Sequence, residues 1–462
     1  MRIESERRPA EPSVTTAIPG PRSRVLLERQ ERRESSARTY PRHLPIALRR
    51  GRGSFVEDVD GNVFLDFLAG AGVLSLGHNH PEVVRAIQGQ LGELVHGLDF
   101  PTPAKDEFTE LLLAMLPGDL GSRFKLHFCG PTGANGVEAA IKLCKIATGR
   151  GDIVAFSGGF HGSTAAAMAT SGNVGPKEAV RNGMPGVHFF PFSNCLRCPL
   201  GLRPDVCDTN CATYLESVLN DPSGGIPKPA AVLLEPIQGE GGTIPARLEF
   251  VRRLRDITRR LDIPLIVDEV QTGCGRSGTW FAFEQYGIEP DVIVASKALS
   301  GAGLPVSVLL YRRELDVWRP GAHIGTFRGN QLAFASGVAA LRVMVRDDVL
   351  GNVRDRGAQL GGRLAVLAAR SDAVVDVRGR GLMWGIDLAD PADLTPASGL
   401  ARAVQAAALR RGLIVELGGR DDGVVRLLPP LTVTAHEIEL AADILDASVV
   451  EASTYQIGSL CI

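Results

Sequence analysis

The chain has 462 residues, 44% hydrophobic and 22% charged, and Lys+Arg 50 against Asp+Glu 52 leaves a formal net charge of -2. That length can bury a sizeable core and hold two or three domains, which excludes a disulfide-stapled miniature. A charge near zero gives no pull toward nucleic acid or an anionic bilayer, and no apolar run reaches the ~18 residues of a membrane span. A cytoplasmic protein without nucleic-acid or membrane partners is therefore expected.

In chain order, the first 50 residues hold twelve Arg against six Glu and no continuous apolar stretch. A secretory signal needs an apolar centre of roughly 7–15 residues and a transit peptide is poor in acids, so neither fits. Interleaved Glu and Arg predict a solvated face rather than a basic arm for RNA or an acidic partner. Residues 1–40 thus read as a flexible charged extension.

Gly130-Pro-Thr132-Gly133-Ala134-Asn135-Gly136 opens a helical pattern over 137–148, with Ala140, Ile141 and Cys144 on its apolar side. Glycines at a helix start expose N–H groups that, with the helix dipole and the Thr132 hydroxyl, suit a phosphate; a plain N-cap turn is the alternative. A short β-rich run at 152–156 follows, then Gly158-Gly159-Phe160-His161-Gly162. The flanking glycines would let Phe160 stand over a flat ligand, while His161 reads as a packed histidine.

Cys195, Cys198, Cys207 and Cys211 cluster as Cys-x-x-Cys followed by Cys-x-x-x-Cys. Zinc ribbons use Cys-x-x-Cys twice with a wider gap, so a loop of reduced thiols is expected, with structural zinc and a redox pair as alternatives and no metal assigned. Cys129, Cys144 and Cys274 read as small core residues.

Further β-rich runs at 230–234, 264–267, 291–295 and 306–311 alternate with helical patterns. One such helix, 248–261, puts Phe250, Val251, Leu254, Ile257 and Leu261 on one face and arginines on the other. This rhythm predicts an α/β fold with a largely parallel sheet, whose ligands gather at the carboxyl ends of strands. The run at 264–267 delivers Asp268 and Glu269 to such an end. A buried carboxylate persists there if it meets a metal or a protonated ring nitrogen; capping the next helix is the alternative. The run at 291–295 leads to Lys297, where a desolvated amine can condense with an aldehyde, unless the side chain merely snorkels to the surface. An aldehyde trap, an anion for a ring nitrogen, a phosphate cradle and a stacking aromatic together describe a pyridoxal phosphate site.

These residues resemble the class III aminotransferases of the fold-type I pyridoxal phosphate enzymes. The resemblance covers nearly the whole chain after about residue 40. It rests on Gly77-His-Asn-His80-Pro81, Phe160-His161-Gly162, Glu235-Pro-Ile-Gln-Gly-Glu240-Gly-Gly242, Asp268-Glu-Val-Gln271-Thr-Gly273, Ser296-Lys297, Gly325-Thr326-Phe-Arg328-Gly329-Asn330 and Arg426-Leu-Leu-Pro-Pro-Leu431. It implies that Lys297 is the Schiff-base lysine and Asp268 holds the pyridine nitrogen protonated. Gln271 would lie near the phenolic oxygen, Val270 would pack opposite Phe160, and Thr132, Gly133 and Ala134 would bind phosphate. Thr326 would reach the phosphate of a neighbouring subunit, making the enzyme a homodimer with shared active sites. Arg426 would clamp the carboxylate of glutamate or 2-oxoglutarate, with Glu240 as its switch partner.

Arg328 and Gln331, where the family more often has glycine and proline, and the Cys129-Gly-Pro-Thr-Gly133 segment resemble the diaminobutyrate 2-oxoglutarate aminotransferases. That resemblance implies ping-pong exchange of the terminal amino group between L-2,4-diaminobutyrate and 2-oxoglutarate, giving aspartate 4-semialdehyde and glutamate. Another terminal amine (ornithine, 4-aminobutyrate, putrescine), or a pyridoxal phosphate racemase or aminomutase, is the alternative. A non-enzymatic cofactor-binding regulator lacks any recognisable DNA-binding module. The expected architecture is a small α+β domain from 41–80 and 336–462 beside a large cofactor domain over 81–335. A helix at 332–345 would connect them, and 378–387 would form a turn and strand of the small domain.

Overall fold

A computed structural model describes residues 9–180 and 183–459. The chain divides into two compact units, one of residues 82–350 and one of residues 1–81 with 351–462.

The larger unit is built on seven strands: β1 (Phe124–Phe128), β2 (Ile153–Phe156), β3 (Val187–Phe190), β4 (Ala231–Leu234), β5 (Leu265–Asp268), β6 (Val292–Ala295) and β7 (Val308–Arg312). Their order is β1-β7-β6-β5-β4-β2-β3. β7 runs antiparallel to both its neighbours, and the remaining pairs are parallel. Every residue of β2, β4, β5 and β6 is buried. Such continuous aliphatic runs form where helices cover both faces of a parallel sheet. Val137, Ile141 and Cys144 of the helix Gly133–Thr148 share one core cluster with Val292, Val294 and Leu309. The helix Leu248–Arg260 buries Phe250, Val251, Leu254 and Ile257 as its pattern predicts.

The helix Gln331–Arg346 packs within this same unit, its Phe334 ring centred 4.7 Å from that of Phe128 and 6.0 Å from that of Phe108. The unit therefore extends to residue 350 instead of ending at 335.

The smaller unit has two four-stranded sheets. One joins Leu48–Arg52, Phe55–Asp58, Val63–Asp66 and Leu413–Ile414; the other joins Val374–Arg380, Met383–Leu388, Val424–Leu427 and Glu416–Gly418. The helices Ser398–Arg410 and Ala435–Ser459 complete an α+β arrangement.

The reading of residues 1–40 as a flexible extension is corrected for its described part; the first eight residues lie outside the described residues. Ser13 and Val63 exchange backbone hydrogen bonds of 2.8 Å. Pro21–Arg33 is a helix whose only buried residue is Ser23. The Asp60 carboxylate accepts from Arg22 N at 2.7 Å and Ser23 N at 2.8 Å, satisfying N–H groups that a helix start leaves unpaired. That anchor lies outside the segment, so no pattern within it announces the helix.

Among the described residues no helix is long and apolar enough to cross a membrane.

Candidate active site

The carboxyl ends of β2, β4, β5 and β6 and the loop after β1 converge on one cavity of about 230 Å³. Its walls are Thr132, Gly133, Ala134, Phe160, His161, Gly162, Glu235, Glu240, Asp268, Val270, Gln271 and Lys297. Residues from five separate stretches thus meet, four of them because each follows a buried strand, as ligand sites in open α/β sheets do.

Asp268 ends β5 and is 5% exposed. One of its oxygens accepts from Val270 N at 3.0 Å; the other lies 2.7 Å from His161 Nδ1. Across the sheet Asp268 registers with Val294, and three residues beyond Val294 comes Lys297. Lys297 is half-buried and opens a 3₁₀ turn with φ +42°, a left-handed backbone that costs a non-glycine residue energy and marks an over-determined position.

The helix Gly133–Thr148 points its first turn at the cavity. Thr132 donates from N and Oγ1 to Asn135 Oδ1 at 3.2 and 2.9 Å. A Cβ on Gly133 would lie 2.7 Å from Val270 Cγ1, and one on Gly162, whose φ is +129°, would lie 2.5 Å from Ala134 Cβ. The helix start is therefore pressed between Val270 and the Phe160 loop. The donor set matches the cofactor read from the sequence: backbone N–H groups at a helix start for a phosphate, a buried carboxylate for a cationic ring, an aromatic for its face and an amine for its aldehyde.

His161 does more than pack. Burial pushes its imidazole toward the neutral form, but the Asp268 hydrogen bond and the charges of Asp268 and Glu235 outweigh this and raise its proton affinity. Glu235, the first residue after β4, is buried and accepts from Phe160 N at 2.8 Å and Gly239 N at 3.1 Å. Burial, with Asp268 adding to it, pushes Glu235 up to about 7 despite the opposing pull of His161. The sequence reading assigned Glu235 no role, although it follows a buried run as Asp268 does. Glu269, beside Asp268, serves structure: it accepts from Thr272 Oγ1, Ala282 N and Phe283 N.

Thr326 and Arg426 do not line this cavity. Thr326 is exposed, and its carbonyl lies 2.7 Å from His96 Nε2. Arg426 is fully buried in the smaller unit, where Glu416 stands opposite it in register and 3.3 Å from its Nη1. Tyr40 donates to the other Glu416 oxygen at 3.0 Å. This partner was not read from the sequence, since only strand pairing brings it there.

Cys195, Cys198, Cys207 and Cys211 line a separate cavity of about 20 Å³ with Arg247. All the described cysteines are free thiols, and among the described residues no group of three or more His, Cys, Asp or Glu is arranged to hold a metal ion.

Comparison with known proteins agrees with this geometry. The family model for class-III aminotransferases matches residues 36–449. A diaminobutyrate–2-oxoglutarate aminotransferase of Rhizobium meliloti is 48% identical over 431 residues, 91% of this chain and 92% of its own length. One of Haemophilus influenzae is 47% identical, over 92% of this chain and 95% of its own length. The crystal structure of an amine transaminase from an uncultivated Pseudomonas species, in a PLP-bound form, matches with TM-score 0.81 and 28% identity over 91% of this chain and 98% of that one. The ornithine aminotransferase of Toxoplasma gondii matches with TM-score 0.80 and 25% identity over 94% and 95%. With a family match over most of its length and relatives this similar, the chain belongs to the class-III aminotransferases.

Proposed function

We propose that this chain is a pyridoxal 5'-phosphate-dependent aminotransferase that moves the terminal amino group between L-2,4-diaminobutyrate and 2-oxoglutarate, yielding aspartate 4-semialdehyde and glutamate. The observation that carries the reading is the meeting of Lys297, Asp268, Phe160, Val270 and the glycine-started helix in one cavity. The substrate pair rests on the relatives of that name.

When bound, the cofactor supplies an aldehyde and an electron-accepting ring. Lys297 is the amine for that aldehyde and, once released, the base that moves a proton at the substrate carbon beside its nitrogen. Asp268, steadied by His161, holds the ring nitrogen protonated. Thr132, Gly133 and Ala134 hold the phosphate through hydroxyl and backbone donors. Phe160 and Val270 confine the ring from its two faces, and Gln271 donates near its phenolic oxygen. Arg426 takes the carboxylate of glutamate or 2-oxoglutarate as a bidentate pair, and Glu240 also serves substrate binding.

The working form in this reading is a cytoplasmic homodimer in which Thr326 reaches a neighbouring subunit's phosphate. What supports it is an exposed apolar surface around Thr326. Backbone bonds from Gly97 to Gly329 and from Gln331 to Val95 stitch two segments together. They expose Val95, Leu98, Phe100, Ile324 and Phe327 by 44 to 73%. Apolar patches of this kind mark association surfaces.

The test is an absorbance titration of the purified holoenzyme. Diaminobutyrate should bleach the bound-cofactor band and 2-oxoglutarate should restore it. Bleaching by ornithine or 4-aminobutyrate alone would replace the donor, and failure of 2-oxoglutarate to restore the band would overturn transamination to that acceptor.

A further inference from the structure

Glu235 is the one acidic wall residue of the cavity left without a role, and it occupies an unusual place. Its Oε2 holds the amide of Phe160 and its Oε1 that of Gly239, so a single carboxylate ties the loop after β2 to the loop that leads into Glu240. It also faces His161. The point where a Gly159 side chain would begin lies 3.2 Å from His161 Nε2 and 3.4 Å from Glu235 Oε2. His161 thus stands between two carboxylates, with Asp268 at Nδ1 and Glu235 on the Nε2 side, and a methyl at 159 would fit between them only if its neighbours gave way by a few tenths of an ångström. Its other polar contact is from its own amide to Ser171 Oγ at 2.8 Å. Burial opposes the charge on His161, and the Asp268 hydrogen bond with the charges of Asp268 and Glu235 favours it; Glu240 and Lys297 are the other ionisable residues of the wall.

We infer that Glu235 is a positioning residue that acts twice: it fixes Phe160 over the site, and from the Nε2 side it favours the imidazolium form of His161, whose Nδ1 then holds Asp268 in one orientation. The inference rests on the proposed function for its consequence at the cofactor, but its electrostatic half concerns the protein alone. A negative charge a few ångströms from an imidazole raises its proton affinity even under the strong screening of a protein interior. Burial also shields the pair from salt, and the direction agrees with the raised His161 affinity.

The experiment compares Glu235→Gln with wild type in the full chain. First, the resonance of the hydrogen-bonded imidazole proton, assigned by its loss in His161→Gln, is followed against pH. The His161 midpoint should fall by about 0.5 pH unit, the screened effect of losing a carboxylate that is itself only partly ionised near pH 7. Second, cofactor-depleted protein is titrated with pyridoxal phosphate. Affinity should drop about tenfold, because one oxygen of the carboxylate becomes an amide nitrogen facing a backbone N–H. Glu235→Asp should restore the His161 midpoint more than the affinity, since it keeps the charge and shortens the reach.

Should Glu235→Gln not fold, Gly159→Ala tests the same geometry by placing a methyl between Glu235 and His161 without removing a polar group, and the midpoint should again fall. An unchanged midpoint, or affinity within about threefold of wild type in a folded variant, would overturn the inference. A wild-type chain that takes up no pyridoxal phosphate would instead overturn the proposed function, while the midpoint shift would still judge the electrostatic half.

Discussion

Lys297 joins two features: a strained left-handed backbone and a place on the cavity wall across from Asp268. In the proposed function it both anchors the cofactor and moves a proton, so it is expected to dominate the rate. Lys297→Ala should lower turnover by at least the 10²–10⁴-fold typical of a lost general base, roughly, while leaving the melting temperature near wild type; steady-state kinetics and thermal melts check this. Glu269 carries a different consequence at the same scale. Burial pushes it up to about 7, outweighing three hydrogen bonds that favour the anion. A carboxyl whose folded proton affinity exceeds its unfolded one gives stability that is complete below pH 4.5 and is lost as pH rises through about 7. The full effect is on the order of 3 kcal/mol. Glu269→Gln should therefore flatten the decline in stability over that window, read from melts at successive pH values; an undiminished slope would show that other groups cause it.

At the scale of elements, the cavity depends on how closely the helix start, the Phe160 loop and the end of β5 approach. Gly133 has no room for a side chain because Val270 occupies it. Gly133→Ala should cost about 1–3 kcal/mol by overpacking and weaken cofactor binding, and Val270→Ala in the same chain should recover most of the loss. Thermal melts of the two single variants and the double variant decide it, and strict additivity would show that the two residues do not compete for space. In the smaller unit, adjacent strands set Glu416 opposite Arg426. Glu416→Ala should cost about 3–5 kcal/mol, the range for removing one partner of a buried pair, measurable by denaturant unfolding. A loss below about 1 kcal/mol would mean that Arg426 is adequately held by its other contacts.

At the scale of the molecule, the exposed apolar surface around Thr326 makes association the element most open to direct challenge. Phe327 is 69% exposed. In the proposed homodimer, Phe327→Glu should shift the chain to monomer on size exclusion and lower activity with it. A fully active monomer would remove Thr326 from the site.

Five of the seven strands of the larger sheet, the helix read over 248–261, the α/β class and most of the cavity residues from Thr132 to Lys297 were legible in the sequence, because each depends on local pattern: buried β-rich runs, an amphipathic repeat, and residues placed just beyond a strand; Phe124–Phe128 and Val187–Phe190, whose residues are partly exposed, were not. The anchoring of the N-terminal helix by Asp60, the Glu416 partner of Arg426, the Asp268 contact of His161 and the placement of Glu235 were not. Each joins residues distant along the chain, and nothing in the local order of side chains records which strand end will face which loop. Composition and periodicity determined the class of fold and the chemistry at the strand ends. Only tertiary packing decided which carboxylates share a histidine, which glycines have no room for a methyl, and which arginine is already paired, since those follow from distances that strand order and register alone create.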